Sequence, residues 1–480
     1  MRKFKKIISD FCIRTGQRIN NQKSVIILCN SVVNRKRKAI TKLWGFKLVK
    51  EVFYLGIKLA LRRLLDSDFN YILEKVNSRL NVWGKNLISL AGRIVLTKSV
   101  LAAIPIFVAT HTLIPKRILH KIEKAARNFI WDKPGGLHEL HYISWEKMCR
   151  PWKEGGLSIK SVSDITGPLR AKFAWNFLKE EDSLLYKSLK ARYGPKFWMK
   201  SNTAYKSVTW KILADGAQSL ISITRWKIAA EDNINILDDA WILDRSLQQW
   251  PTFVSTGISE IPKLKEFISG GCWNIDMLNT HFGLELVKTI TQIEIDSSLP
   301  KDSIELNNKF SGKSIMARTT AYKSNDICSV DYGIWLKKLK LNPIIECFWW
   351  RLLNEAIPTN EFLMNRRLLG HNLCHRGCEE HEDTNHIMVH CHKLQQVISI
   401  LNIWGFTWPL FTSAKDCKYH LEKLSVHNKS LANLYCSLVY FSWKSRNSIK
   451  HGKNEWSLNF IAGNAISYAS IASSNLFLDH

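Results

Sequence analysis

Residues 374–391 constrain this chain more than any other stretch. Cys374 and Cys378 flank three residues, His386 follows after seven more, and Cys391 closes the run after a further four. Three thiols and one imidazole supply four soft or borderline donors, the number a closed tetrahedral Zn²⁺ site requires. The eight other cysteines (Cys12, Cys29, Cys149, Cys272, Cys328, Cys347, Cys417 and Cys436) are scattered, and the total of 11 is odd. That usage fits a reducing compartment in which lone cysteines act as small buried hydrophobes. Two alternatives stay open. His375-x2-Cys378 restores a tighter first pair and leaves Cys374 out, with His381, His390 and His392 as further imidazoles nearby. Otherwise the site is a decayed one whose cysteines are ordinary core residues.

The donors do not stand alone. Phe348-Trp349-Trp350-Arg351-Leu352-Leu353 leads through Ile357-Pro358-Thr359 and Leu363 into Cys374. This run resembles the zinc-binding domain found after the polymerase in plant LINE-type (non-LTR retrotransposon) reverse transcriptases, which reads roughly F-x-W-R-L, L-P-T, L, C-x2-C, H-x4-C. The resemblance implies a small helical module over residues 311–405 with one structural Zn²⁺ held by Cys374, Cys378, His386 and Cys391. The first pair departs from the family by one extra residue. Trp349 and Trp350 are expected in the core rather than stacked on bases, because they sit on an apolar helix.

Other stretches resemble the same family in the same order. Gly16-Gln17-Arg18-Ile19-Asn20 with Lys23-Ser24, then Tyr54-Leu55-Gly56-Ile57, look like the last part of a reverse-transcriptase palm. Apolar spacing predicts a helix over residues 4–19, a strand at Ser24–Leu28 and another over Val52–Ile57. Leu80, Trp83, Leu87 and Ser89-x-Ala91-Gly92-Arg93, with Ile104-Pro105 and Phe129-Ile130-Trp131, look like the thumb, as do Trp145 and Gly155-Gly156-Leu157. Three amphipathic helices are expected there: one with the stripe Phe69, Ile72, Leu73, Val76, Leu80 and Trp83, one from Ser89 to about Ala103, and one opening at Pro115. Arg225-Trp226-x-Ile228 and Asp239-x-Trp241-Ile242 resemble a family segment that carries a Gly-x-Gly turn, replaced here by Ala229-Ala230-Glu231-Asp232. Pro251, Gly257, Pro262, Gly270-Gly271 and Pro300 suggest linker with short helices. Trp443-Lys444-x-Arg446-Asn447 resembles the stretch that follows the zinc module in longer relatives.

The expected architecture is therefore mainly α: a β-containing palm remnant over 1–60, a thumb-like helical bundle over 61–160, a helical connector over 161–310, the zinc module over 311–405, and a C-terminal helical tail over 406–480 with no ribonuclease H.

Charge supports a polyanionic partner. Lys and Arg total 69 against 41 Asp and Glu, a formal charge of +28, an excess that attracts nucleic acid. A thumb grips a template-primer duplex through phosphates. The resemblance thus implies contacts from Lys116, Arg117, Lys121, Lys124 and Arg127, and from Arg93 and Lys98. The partner is expected to be RNA or an RNA/DNA duplex, read with little regard to base sequence. No membrane span is expected: the longest uncharged run, Ser99 to Pro115, is short and contains Pro105 and His111. Arg35-Lys36-Arg37-Lys38 resembles a short nuclear-import signal, although a solvated loop or a phosphate contact is the commoner role, and the location is expected to be intracellular, with the nucleus possible.

Nucleotide polymerisation needs clustered carboxylates around two metal ions. The family supplies them from a palm strand and an Ala-Asp-Asp hairpin, neither of which is visible here. The one Asp-Asp pair, Asp238-Asp239, reads as a polar turn before Trp241. The chain is thus expected to be a truncated, retroelement-derived protein that binds nucleic acid and is not itself an enzyme. The alternative is a structural or interaction protein, or a non-functional remnant. A polymerase subunit completed in trans is a third possibility.

Overall fold

A computed structural model describes residues 1–83, 88–132, 140–194, 206–229, 234–242, 246–247, 263–296, 298–299, 301–307, 312–324 and 332–474. Leu87, Ala230 to Asp232, Pro251, Gly257, Pro262, Pro300 and Cys328 lie outside the described residues. The fold is mainly α. Among the described residues, strands form only four two-stranded pairings.

The first 70 residues follow local rules closely. The helix Arg2–Thr15 ends where Gly16 takes a left-handed φ of 70°, a conformation that glycine adopts without a Cβ penalty. Val25–Ile26 pairs in parallel with Lys47–Leu48. The segment expected as a single strand over 52–57 is instead a hairpin: Glu51–Tyr54 runs antiparallel to Ile57–Ala60. Leu55 and Gly56 both take positive φ at its tip, the signature of a tight two-residue turn. Arg35 to Lys38 do not form a loop; they open the helix Asn34–Trp44. Arg37 turns inward there, donating to the carbonyls of Val32, Cys29 and Asn30 at 2.7, 3.1 and 3.1 Å. Asp68 fastens the hairpin. Its carboxylate accepts from both Arg62 terminal nitrogens, from Lys58 Nζ and from the Leu65 N–H, at 2.6–2.8 Å.

The three amphipathic helices are Asn70–Trp83, Leu90–Leu96 and Lys116–Trp131. Ser89 caps the second through Gly92 N, and a π-turn at Thr97–Leu101 prolongs it. Counted as one run, Leu90–His111 is 22 residues long and apolar enough to cross a membrane by length and composition, with 44% of its most apolar window buried. Core helices pass the same test, and Ala91, Ile94, Leu101 and Val108 are buried here.

Two compact units interleave along the sequence. One comprises Met1–Asn77, Ile104–Ile122 and Val162–Thr319; the other comprises Ser78–Ala103, Glu123–Ser161 and Thr320–His480. Neither is a single stretch of chain.

In the first unit, helices Val162–Lys179 and Val208–Leu220 pack backbone to backbone. A Cβ on Gly216 would lie 2.4 Å from the Arg170 carbonyl, so only glycine permits this approach. The region expected as helical connector and linker holds β-structure and a core of its own. Thr224–Lys227 pairs with Ser303–Leu306, and Ile228, Trp241, Leu264, Phe267, Leu278 and Ile290 are buried together. Isolated glycines and prolines signal turns, and turns join packed elements as readily as they form linkers. Asp239 does sit in a turn, accepting from Asn235 N at 2.8 Å.

In the second unit, helix Pro343–Leu353 carries Trp349 and Trp350, both fully buried. Their indole N–H groups donate to the carbonyls of Cys436 and Gly155 at 2.8 and 2.9 Å. The Gly155-Gly156-Leu157 phrase has a steric cause, since a Cβ on Gly156 would meet the Arg150 carbonyl at 2.0 Å. Helices Lys429–Lys450 and Leu458–Ser474 complete this unit.

Candidate metal centre

The donors are gathered by two short devices. The first is the loop between Cys374 and Cys378, drawn together by an antiparallel bridge between Leu373 and His381 and by a bond from Cys374 N to the Glu380 carbonyl at 3.0 Å. Gly377 absorbs the extra residue by taking φ of 75°, and the Arg376 N–H points at Cys374 Sγ from 3.4 Å. The second is a single π-turn, His386–His390. The Cys391 N–H closes it on the His386 carbonyl at 2.8 Å, so the four residues of the His-x4-Cys spacing wind once and return both side chains to one side.

The result is a compact set. One donor atom each from Cys374, Cys378, His386 and Cys391 lies within 4.8 Å of the other three. Bonds of about 2.3 Å to a tetrahedral zinc imply a sulfur–sulfur edge of about 3.8 Å, and Cys378 and Cys391 are 4.0 Å apart. His386 Nδ1–H donates to Glu380 Oε2 at 3.0 Å, while its Nε2 is buried without a hydrogen-bond partner. A carboxylate on one ring nitrogen and a free second nitrogen is how metal-bound histidines are oriented. The sulfurs are electrostatically linked. A hydrogen bond between Cys374 and Cys391 pushes the first thiol up and holds the second well below the usual thiol range, and the Arg376 cation acts on Cys391 in the same direction. His375 is outside this set of four; it stands edge-on to His371 with ring centres 5.8 Å apart. The residues present fit a structural Zn²⁺.

Residues 316–397 match the family described as zinc-binding in reverse transcriptase. The chain carries a reverse-transcriptase zinc-binding domain. It is similar to an Arabidopsis thaliana protein that bears the name of a ribonuclease H protein, at 25% identity over 330 residues, covering 65% of this chain and 52% of that protein. It is also similar to an uncharacterized mitochondrial protein of Arabidopsis thaliana, at 22% identity over 147 residues, covering 30% of this chain and 96% of that one. The chain thus spans about half the length of the first relative. The family match over residues 316–397 and the two similarities support the resemblance to plant reverse-transcriptase-like proteins of retroelements.

The zinc-binding domain has a support layer that its ligand spacing does not reveal. Glu382 is buried and pairs with buried Arg446: Arg446 Nε donates to Glu382 Oε2 at 2.7 Å, and its terminal nitrogen reaches both Glu382 Oε1 and Asn360 Oδ1. Asn360 returns to the loop through the Leu373 carbonyl at 2.6 Å. Arg446 also lies over the Trp443 ring at 4.8 Å. The Trp443-Lys444-x-Arg446-Asn447 phrase therefore has a physical role beside the donors. Its visible signal was an arginine on an otherwise apolar helix face.

The cations expected at a nucleic acid divide into two groups. Lys116, Arg117, Lys121 and Lys124 are exposed on the Lys116–Trp131 helix, opposite buried Ile118, Ile122, Ala126 and Phe129. At 3.6 residues per turn they share an arc of about 140°. Arg127 falls within the arc but is only partly exposed, with Nε buried. Arg93 and Lys98 do something else. Arg93 caps the end of that helix, donating to the carbonyls of Phe129 and Asp132 at 3.2 and 2.8 Å. Lys98 lies over the Trp152 ring at 5.6 Å, and burial lowers its pKa. The thumb-like phrase flagged them by position, whereas their partners lie 36 or more residues away.

Proposed function

We propose that this chain is a sequence-tolerant nucleic-acid-binding protein whose Zn²⁺ is structural, and that it does not itself polymerise nucleotides. The observation that carries the reading is the row Lys116, Arg117, Lys121 and Lys124, for which no ion pair is found among the described residues. An uncompensated arc of cations on a rigid helix suits a phosphate backbone, and phosphate contacts hold a duplex without reading it. The formal charge of +28 acts in the same sense at longer range. RNA or an RNA/DNA duplex is the proposed partner, in keeping with the reverse-transcriptase character of the zinc-binding domain. The proposal that it does not polymerise nucleotides rests on the sequence, in which the family's Ala-Asp-Asp hairpin is not visible.

The test is a fluorescence-anisotropy salt titration on the folded chain. Each phosphate contact adds about 0.9 to the log–log salt slope on B-form DNA. Lys121→Ala with Lys124→Ala should lower the slope and weaken binding about equally for unrelated sequences. Unchanged affinity and slope would instead make these lysines a solvated face and favour a structural or interaction role.

A further inference from the structure

Three cysteinates and a neutral imidazole around a divalent ion carry one net negative charge. Such a charge in a largely buried site needs compensation, because desolvation penalises an unpaired ion. The chain places a cation there, and the residue bearing it lies inside the lengthened first cysteine pair.

Arg376 is one of the three residues between Cys374 and Cys378, and its side chain is 2% exposed. One terminal nitrogen lies 3.7 Å from Cys391 Sγ and donates to Ser442 Oγ at 2.8 Å. The other donates to the Ser442 carbonyl at 2.6 Å. Nε faces Glu455 Oε1 at 3.2 Å, and Lys393 Nζ is 3.7 Å from the other oxygen of that carboxylate. Arg376, Lys393 and Glu455 together keep one net positive charge beside the sulfur. Ser442 holds the guanidinium in place through two bonds, so its charge is aimed rather than merely near.

We propose that Arg376 is a positioning residue of the metal centre: a built-in counter-charge to the Cys391 thiolate that strengthens Zn²⁺ binding, admitted by the extra residue of the Cys374-x3-Cys378 pair. The inference rests on the reading that the four donors hold Zn²⁺. A planar guanidinium suits the task because it keeps its charge when buried and bonds along its edges. Ser442 and Glu455 belong to the helix Lys429–Lys450 and the segment after it, so the groups that hold Arg376 in place come from beyond the matched residues 316–397.

Competition between the full-length chain and a chromophoric zinc chelator tests this, with Co²⁺ as a spectroscopic probe. Arg376→Gln should weaken zinc about tenfold, the low end for changes around a metal's ligands. It should also move the thiolate-to-Co²⁺ charge-transfer band to longer wavelength, because the sulfur electrons lose a stabilising cation. Arg376→Lys should keep most of the affinity. Glu455→Gln, at a part-exposed carboxylate whose loss does not threaten folding, should tighten zinc by removing an opposing charge. Equal losses in Arg376→Gln and Arg376→Lys, or a loss in Glu455→Gln, would reduce Arg376 to a mechanical tether and overturn the proposal. A wild-type chain that takes up no zinc would overturn the reading of the four donors along with it. Zinc uptake by the wild type that Arg376→Gln leaves unchanged would overturn the counter-charge alone.

Discussion

Arg446 and Glu382 face each other with side chains only 3% and 1% exposed, in a paired geometry that Asn360 completes. Glu382 sits in the loop that separates the first two thiols from His386, so this ion pair ties the donor loop to the helix Lys429–Lys450. Removing one partner leaves a buried charge without its counter-ion. Arg446→Met or Glu382→Gln should therefore cost about 3–5 kcal/mol of stability, measured by denaturant unfolding. The double substitution should cost less than either single change; a strictly additive loss would show that the pair is not coupled.

Metal should be part of the folding energy of the second unit. Cys391→Ser removes one of four donors and should release the ion, and chelation of the wild type should lower Tm, because a structural zinc is bound only by the folded form. Differential scanning calorimetry with and without chelator checks this. An unshifted Tm in a protein shown to contain zinc would make the ion incidental.

No nucleotide incorporation is expected from this chain on a primed template with Mg²⁺ or Mn²⁺. The measurement is primer extension on a denaturing gel. Extension that disappears when any one aspartate is replaced would reveal a carboxylate site that the reading misplaces.

Asp68 predicts an acid-sensitive hairpin. Hydrogen bonds from Arg62, then Lys58 and the Leu65 N–H, hold its carboxyl well below the usual range. A depressed pKa means that the carboxylate's stabilisation is fully present above its unfolded value of about 4 and is lost as pH falls toward the folded one. Asp68→Asn should abolish that part of the pH dependence while leaving neutral-pH stability lower. Urea unfolding at pH 7 and below pH 4 compares the two. Parallel pH profiles for variant and wild type would argue against it.

Much of the helical architecture is legible because it is local. Ser89 before Ala91-Gly92-Arg93, Pro115 before Lys116, and the spacing of Ile118, Ile122 and Phe129 carry their own start signals and buried faces. The donor set is legible for the same reason: a π-turn and a tight loop bring it together within 18 residues. The body around Trp241 and Phe267 is not, because its strands pair across about 80 residues and each is four residues long. Arg376, Glu382 and Arg446 escape for a related reason. A charged residue in a sequence looks like surface until its partner is known, and here the partners are far along the chain. Arg93 shows the converse, a residue of the expected type at the expected place that caps a helix end within the fold through one terminal nitrogen.

The interleaving of the two compact units bears on how a gene of this kind can shorten. Each unit is assembled from three separate stretches that alternate with those of the other. No single scission of the polypeptide, and no single crossover in its gene, can hand both units on whole. A copy eroded from the front as far as residue 77 loses material from one unit alone, and a copy eroded from the back as far as residue 320 loses it from the other. A break anywhere between residues 78 and 319 divides both at once. Selection acting on either unit would therefore leave its mark as an asymmetry in where surviving copies stop.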